Sequence, residues 1–382
     1  MADTQTKHTN EKALATEGAT SGQGGGVLKS TLVRHLGLML LAFAGIALLL
    51  ETVSPFRGSQ IGELSYFVPA VAGLTVLTGL NGQISLGHGA LMAVGAYTTA
   101  VLLEQESPLP FALIIVIAVT LTALVGAVVG AAAARLHGPY LAGATLGLAV
   151  GLPGLALYFE ETLGGEQGLR VTPPKPSPNF KSLLTGITGN DLSTQKFTAY
   201  VGWALALLVL LLLSNLIVSR YGRTWRAVRD DEVAAELAGI NLGRYRVLAF
   251  VVSAACAGVG GVMIAIITRL TAPTTFTLVL SITLLVAIVL GGLGSLVGAI
   301  IGSLIVVFLR PFVTDFGLSS GLNAAQAANI TPLVFGVVLI LVMLLAPRGL
   351  VGSLRFAYLS RQGAKQAKAH KETSAEQHRK DL

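Results

Sequence analysis

RAVRDDEVAAELAGINLGRYR, residues 226–246, places charges of both signs between two long apolar segments. The segment before it contains LALLVLLLLSNLIV, residues 205–218, and the segment after it is VLAFVVSAACAGVGGVMIAII, residues 247–267. About 20 consecutive apolar residues are needed for a helix to cross the hydrocarbon core of a bilayer. The pattern therefore predicts membrane-spanning helices joined by a short charged element in an aqueous loop.

The composition of the whole chain agrees with lipid as the main solvent. Of 382 residues, 53% are hydrophobic and 12% charged, whereas a typical soluble domain has about 25% charged residues. The net charge of +7 comes from basic residues that flank apolar segments, which indicates membrane orientation rather than nucleic-acid binding. The single cysteine, Cys256, excludes an intrachain disulfide.

We predict an all-α fold, a polytopic transmembrane helical bundle with about ten spans and a short cytoplasmic helix. The predicted spans are 36–52, 61–80, 86–103, 111–135, 140–159, 198–218, 247–267, 278–293, 296–311 and 332–346. The region 278–310 also fits one span followed by a re-entrant piece. Gly294, Gly298 and Gly302 are spaced four residues apart, which predicts one helix face for close packing.

The remaining segments divide the chain into two tails, a membrane domain and two larger loops. We expect residues 1–32 and 355–382 to be disordered cytoplasmic tails on either side of a transmembrane domain, residues 33–354. Arginines concentrate in the loop 219–246 and after the last span, which places both of these segments and both termini in the cytoplasm. The connector 160–197 then faces outward.

The charged element in the loop 219–246 has the signals of a short helix. Asp230 is the expected N-cap, with Asp231 and Glu232 in the favourable position near the positive end of the helix dipole. Val233, Leu237 and Ile240 form a short apolar stripe, and Gly239 is placed to end the helix after about two turns. Such a helix needs a packing partner. Two interpretations stay open: a helix lying on lipid, or a docking element for a soluble protein.

A second polar cluster, Asn81, Gln83, Ser85 and His88, follows an apolar segment. Polar side chains at membrane depth either line a pathway beside a broken helix or form hydrogen bonds between helices, and both interpretations stay open. His88 has no second ligand at suitable spacing, so we expect no metal site, and nothing in the sequence indicates a cofactor.

The energy source is expected to lie on another polypeptide. A P-loop motif that could bind ATP is missing from the sequence. Ion-coupled carriers usually carry ionisable residues within the membrane, whereas Glu63, Glu104 and Glu160 lie near the ends of the predicted spans. The chain is therefore expected to be a transport subunit and not itself an enzyme.

Several segments resemble a known family. Ala234 and Ala235, followed by Gly239, are similar to the EAA loop of bacterial ABC importer permeases, although Val233 stands at its first position and Glu232 lies one residue earlier. GLNGQISLGHGALMAVGAYTTA (79–100), GRTWRAVRDDEVAAELAGINLGRYRVLAFVVSA (222–254) and VLGGLGSLVGAIIG (289–302) resemble LivM-type permeases of branched-chain amino-acid ABC transporters. LGGEQGL (163–169) and APRGLVG (346–352) fit the same family. The segment LGLAVGLPGLAL (146–157) departs from it, because the family often has an acidic residue there.

The resemblance implies a permease that imports leucine, isoleucine and valine across a bacterial cytoplasmic membrane. Its implied partners are a second homologous permease, two cytoplasmic ATPase subunits, an extracytoplasmic binding protein and membrane lipid. The implied ATPase-coupling helix consists of Arg226, Arg229, Glu232, Val233, Ala234, Ala235, Leu237, Gly239, Ile240 and Asn241. The possible translocation pathway is Asn81, Gln83, Ser85 and His88.

Three alternatives stay open. Permeases for urea or short-chain amides resemble the same family and would share its fold and coupling helix. A channel or an ion-coupled secondary transporter would work without ATP. A membrane scaffold or receptor would bind a partner and carry no flux.

Overall fold

The computed structural model describes residues 24–104, 109–136, 139–188, 192–345 and 349–353. Within these ranges the chain is a bundle of α-helices with one small antiparallel strand pair. The first helices in chain order are α1 (Gly24–Thr52), α2 (Pro55–Leu74), α3 (His88–Glu104), α4 (Phe111–Ala133), α5 (Pro139–Tyr158), α6 (Glu160–Leu163) and α7 (Pro178–Thr188). The later ones are α8 (Thr194–Val218), α9 (Arg220–Asp230), α10 (Glu232–Leu237), α11 (Leu242–Thr268), α12 (Leu278–Gly291), α13 (Leu296–Ser319) and α14 (Ala324–Leu345).

The chain is a multi-pass membrane protein, but the predicted count of about ten spans is not confirmed. In the described ranges seven helices are long and apolar enough to cross a bilayer, namely α1, α4, α5, α8, α11, α13, and α2 together with the π-helical turn Thr75–Leu80 that continues it. The predicted third span corresponds to α3, which has 17 residues, and the eighth to α12, which has 14. In α14, the apolar run Leu333–Val342 is also short.

The centre of the bundle is formed by α2 and α11. In the most apolar stretch of α2, 89% of the residues are buried, and in that of α11, 78%. In α4 and in α5 the buried share is 22%. α11 packs against α2, α3 and α4. A Cβ added at Gly261 of α11 would overlap the Met92 carbonyl of α3, so glycine allows the two backbones to touch. The exposed apolar faces of α4 and α5 are those of helices that contact lipid.

The connector 160–197 is more structured than a plain loop. It contains α6, a 3-10 turn (Gly165–Gln167), strand β1 (Leu169–Arg170) and α7, and α8 already begins at Thr194. β1 pairs antiparallel with β2 (Leu270–Thr271), which directly follows α11, with Leu169 opposite Thr271. The connector is thereby fixed to the end of α11 that lies opposite the loop 219–246.

The predicted glycine face needs one correction. Gly298 and Gly302 lie on α13, and a Cβ at either would press against the α12 backbone, at the Gly291 carbonyl and the Ala287 carbonyl respectively. Gly294 is not on this helix, because it lies in the turn before α13 with φ +81° and packs against Gly79. The region 278–310 therefore forms two helices, of which α13 has full membrane length and α12 does not.

The chain divides into two compact units, Met1–Leu48 and Leu49–Leu382. The described part of the first unit is helical from Gly24, so α1 begins inside the segment 1–32 that was predicted to be a tail. Residues 1–23 and the predicted tail 355–382 lie outside the described residues. The second unit contains all the sites discussed below.

Candidate functional site

The charged loop, residues 219–246, consists of two short helices, α9 and α10, and the first turn of α11. Ser219 ends α8 and caps α9, because its hydroxyl accepts a hydrogen bond from the Tyr221 amide at 3.2 Å. Trp225 of α9 is fully buried, and its indole nitrogen donates to the Tyr245 carbonyl of α11 at 3.0 Å. The loop is therefore packed onto the bundle.

α10 begins one residue later than the sequence predicted. Asp230 is the last residue of α9, and the N-cap is Asp231, whose extended backbone directs its carboxylate to the Ala234 amide at 3.0 Å. From the local sequence, Asp230 and Asp231 are equally suitable N-caps. Because Asp230 is the last residue of α9, Asp231 caps α10. Glu232 keeps its predicted place in the first turn.

The C-terminus of α10 confirms the predicted role of Gly239 as a helix terminator. Gly239 has φ +82°, its amide donates to the Glu236 carbonyl at 2.9 Å, and the Ile240 amide donates to the Ala235 carbonyl at 3.0 Å. This pair of bonds is the Schellman motif, which satisfies carbonyls that the helix end leaves free. Asn241 then caps α11 by accepting from the Arg244 amide at 3.0 Å.

The apolar side chains of α10 point away from the protein. Leu237 is 86% exposed and Val233 is 68% exposed, and they lie four residues apart on one face. Ala235 is buried against the bundle, Ala234 is exposed, and Ile240 is half-buried beyond Gly239. The predicted stripe is therefore reduced to two exposed residues on a rigidly capped helix of six residues.

The three charged residues of the predicted coupling set bind within the chain. The Arg226 guanidinium donates to the Ile217 carbonyl at 3.1 Å, and Glu232 forms an ion pair with Arg246 of α11. Arg229 donates to the Gly79 carbonyl at 2.7 Å. These contacts fix the loop to the bundle and leave Val233 and Leu237 as its outward apolar surface.

The second predicted cluster lies in a break of the helical structure, residues 81–87, which we call the polar break. α2 ends in the π-helical turn, and the Asn81 and Gln83 amides still bond back to the Val76 and Leu77 carbonyls, each at 3.1 Å. The chain is then irregular until α3 begins at His88. π-helical turns are common at functional sites.

The polar break runs back into the bundle. The His88 ring nitrogen Nε2 contacts the Ala70 carbonyl at 3.0 Å, so α3 begins beside a residue ten positions before Leu80. At about 1.5 Å per helical residue, this point lies roughly 15 Å before Leu80, the end of the π-helical turn that continues α2. The Leu86 amide donates to Thr145 of α5 at 3.0 Å. Irregular backbone at this depth is tolerated because neighbouring helices cover it.

All four residues of the predicted pathway are buried in or beside this break. Ser85 accepts a long hydrogen bond from the Gly87 amide at 3.4 Å. The side-chain amides of Asn81 and Gln83 and the Nδ1 atom of His88 have no hydrogen-bond partner among the described residues. Buried polar atoms of this kind are expected to meet water or a ligand. No group of three His, Cys, Asp or Glu side chains that could hold a metal ion occurs in the described ranges.

Comparison with known proteins identifies the family. Residues 61–345 match the family described as the permease component of the branched-chain amino acid transport system. The chain belongs to this family. It is 34% identical over 239 residues to the high-affinity branched-chain amino acid transport system permease protein LivM of Escherichia coli K12, which covers 58% of this chain and 55% of that protein.

Two further relatives are also permease proteins of high-affinity branched-chain amino acid transport systems. LivM of Salmonella typhimurium is 32% identical over 286 residues, 70% of this chain and 65% of that protein. LivH of Salmonella typhimurium is 28% identical over 306 residues, 78% of this chain and 94% of that protein. The alignments thus span less than two thirds of each LivM protein. The family membership establishes a transmembrane helical permease, and the charged loop and polar break both lie inside the matched region.

Two features of the site were missed from the sequence. Arg229 of the predicted coupling set contacts Gly79, which lies 150 positions away and two residues before Asn81 of the predicted pathway cluster. Glu63 is not at a span end, because α2 begins at Pro55, and it lies half-buried in the third turn of that helix. Pro55 in the first turn of a helix is a local signal that would have found the earlier start.

Proposed function

We propose that the chain is one permease subunit of an ATP-driven importer that carries leucine, isoleucine and valine across a bacterial cytoplasmic membrane. The observation that carries this proposal is α10, a capped helix that presents Leu237 and Val233 to the aqueous side of a permease-family fold. Such a helix has the size and surface to enter a cleft on a soluble ATPase. The arginine-rich side of the protein is cytoplasmic, and so are both termini.

The proposed complex contains a second homologous permease, two ATPase subunits and an extracytoplasmic binding protein. Similarity to both LivM and LivH, two permease proteins of high-affinity branched-chain amino acid transport systems, supports a paired arrangement of related permeases. In the proposed mechanism, the binding protein delivers substrate to the outer face. ATP-dependent closure of the ATPases then moves α10 and the helices attached to it, and the pathway opens inward.

A charged cavity favours amino acids over urea or amides. The cavity has a volume of about 330 Å³ and lies between α2, α8 and the end of α11, opposite the charged loop. Glu63 and Arg269 both line it, so it offers opposite charges to the two ends of a zwitterion. An uncharged urea could form hydrogen bonds to this pair but would gain no ion pairing from it.

The test is uptake of labelled leucine by cells with and without the chain. We expect deletion to abolish high-affinity uptake, the intact gene to restore it, and excess isoleucine but not urea to compete. ATP depletion with arsenate should stop uptake while the ion gradients persist. Loss of urea uptake instead would move the chain to the amide branch, and uptake that survives ATP depletion would overturn the importer proposal in favour of an ion-coupled carrier.

A further inference from the structure

The π-helical turn Thr75–Leu80, which continues α2, needs a hydrogen-bond donor that the helix itself does not supply. The last carbonyls of a helix have no partner within it, and they carry the negative end of the helix dipole. Here Val76 and Leu77 are satisfied by amides of the polar break, whereas the Gly79 carbonyl accepts from the Arg229 guanidinium at 2.7 Å. The charged loop therefore supplies a cationic C-cap to α2 from 150 positions away in the chain.

The stem of Arg229 makes a second contact with the same break. Gly82 has φ +77°, and a Cβ added there would lie 3.0 Å from the Cγ atom of Arg229. The Gly79 backbone also packs directly on Gly294, in the turn between α12 and α13. The terminal turn of α2 is thus held between Arg229 and that turn.

Arg229 is also tied to the start of α10. Its Nη2 and Nε atoms donate to the Asp230 carboxylate at 2.7 and 3.0 Å, and the next residue, Asp231, is the N-cap of α10. Asp231 is the single residue between Asp230, which accepts both hydrogen bonds, and α10, whose apolar side chains are exposed. One side chain therefore connects the start of α10 with the Gly79 carbonyl.

We propose that Arg229 is a positioning residue that couples α10 to the polar break. When α10 moves, the cap on Gly79 shifts or is released, and the segment carrying Asn81, Gln83 and Ser85 rearranges with it. This inference rests on the proposed function and adds to it the side chain that links ATPase docking to the pathway. Arg226 does not do this, because its bond to Ile217 stays within the loop and the end of α8.

The experiment uses the complete complex, purified from membranes through a tag on this chain and reconstituted in vesicles. The variants are Arg229→Gln, which keeps a donor but loses the charge and the fork, and Arg229→Lys, which keeps the charge. The matched control is Arg223→Gln, an exposed arginine of the same helix whose guanidinium donates to the Val218 carbonyl at 3.0 Å. Leucine uptake and ATP hydrolysis are measured on the same samples.

We expect Arg229→Gln to lower leucine uptake per ATP hydrolysed by at least about fivefold, the lower end of typical coupling between sites. ATPase binding should be retained, Arg229→Lys should recover part of the ratio, and Arg223→Gln should match the wild type. A purely structural role would lower uptake and ATP hydrolysis together. An unchanged ratio in Arg229→Gln would overturn this inference alone, whereas a wild-type complex without ATP-driven uptake would overturn the proposed function as well.

A second measurement follows the break itself. Ile84 is 51% exposed, and Cys256, the natural cysteine, is buried, so Ile84→Cys introduces one exposed thiol into this chain, and labelling is read on the band of this chain alone. We expect its maleimide labelling rate to change several-fold between the nucleotide-free and vanadate-trapped complex, and to become insensitive to nucleotide when Arg229→Gln is added. The same nucleotide response with and without Arg229 would refute the link, even if Arg229→Gln had reduced the yield of protein.

Discussion

Replacing Leu237 by glutamine tests whether α10 docks on an ATPase through its apolar face. Leucine and glutamine have similar helix propensities, so the change removes apolar contact and not the helix. Leu237 is 86% exposed, so almost its whole side chain is available to a partner. Full burial of a leucine contributes about 1.5–3 kcal/mol. At about 1.4 kcal/mol per tenfold change, the variant should bind the ATPase roughly 10- to 100-fold more weakly.

The assay is titration of the ATPase subunits against the permease pair held in nanodiscs, with leucine uptake in vesicles as the second readout. Glu236→Gln is the matched control, since it changes the neighbouring exposed residue of α10 and leaves the apolar face intact. An affinity of Leu237→Gln within about twofold of the wild type would refute the docking argument. If Leu237→Gln weakened the contact of α10 with lipid and left the affinity for the ATPase unchanged, the helix would instead be one that lies on lipid.

Three further changes test the packing that supports the site. Gly239→Glu should abolish uptake but not membrane insertion, because a non-glycine residue at φ +82° costs about 1–2 kcal/mol. Gly239→Asn should have a milder effect. Normal ATP-dependent uptake by the glutamate variant would contradict this prediction. His88→Ala should lower the melting temperature through the lost buried hydrogen bond, and an unchanged melting temperature would count against a structural role. Gly302→Ala should also destabilise the protein in a detergent melt because its Cβ meets the Ala287 carbonyl, whereas Gly147→Ala, in open space, should not.

The local structure of the charged loop could be predicted from sequence because its signals are local. A helix cap, an acidic first turn and a glycine terminator act within a few residues of one another, and the structure contains all three. The N-cap error, Asp230 for Asp231, is a shift of one position between two residues of equal capping strength. Ile240 was also placed on a helix that ends before it, and the helix α9 was not predicted. The partners of Arg229 and Glu232 could not be predicted, because they belong to other helices and depend on how the bundle packs.

The predicted count of about ten spans is not confirmed for a different reason, which follows from where the short helices α3 and α12 lie. A hydropathy criterion assumes that each helix crosses lipid alone and must be long enough to do so. α3 and α12 pack on each other, and the Gly89 amide at the start of α3 donates to the Ser281 hydroxyl of α12 at 3.0 Å. Leu284, Ala287 and Ile288 of α12 are fully buried.

The irregular ends of these two helices therefore bond to or pack on other parts of the bundle, while the side chains of Ile84 and Leu293 are exposed. The polar break before α3 bonds to α5 through Leu86, and the turn after α12 packs on Gly79 at the end of α2. Backbone groups freed by a short helix find partners in such an environment, so full membrane length is not required. Helices that do face lipid, such as α4 and α5, have full membrane length. The two short helices α3 and α12 thus lie next to the polar break and to the turn that packs on Gly79, the residue whose carbonyl Arg229 contacts.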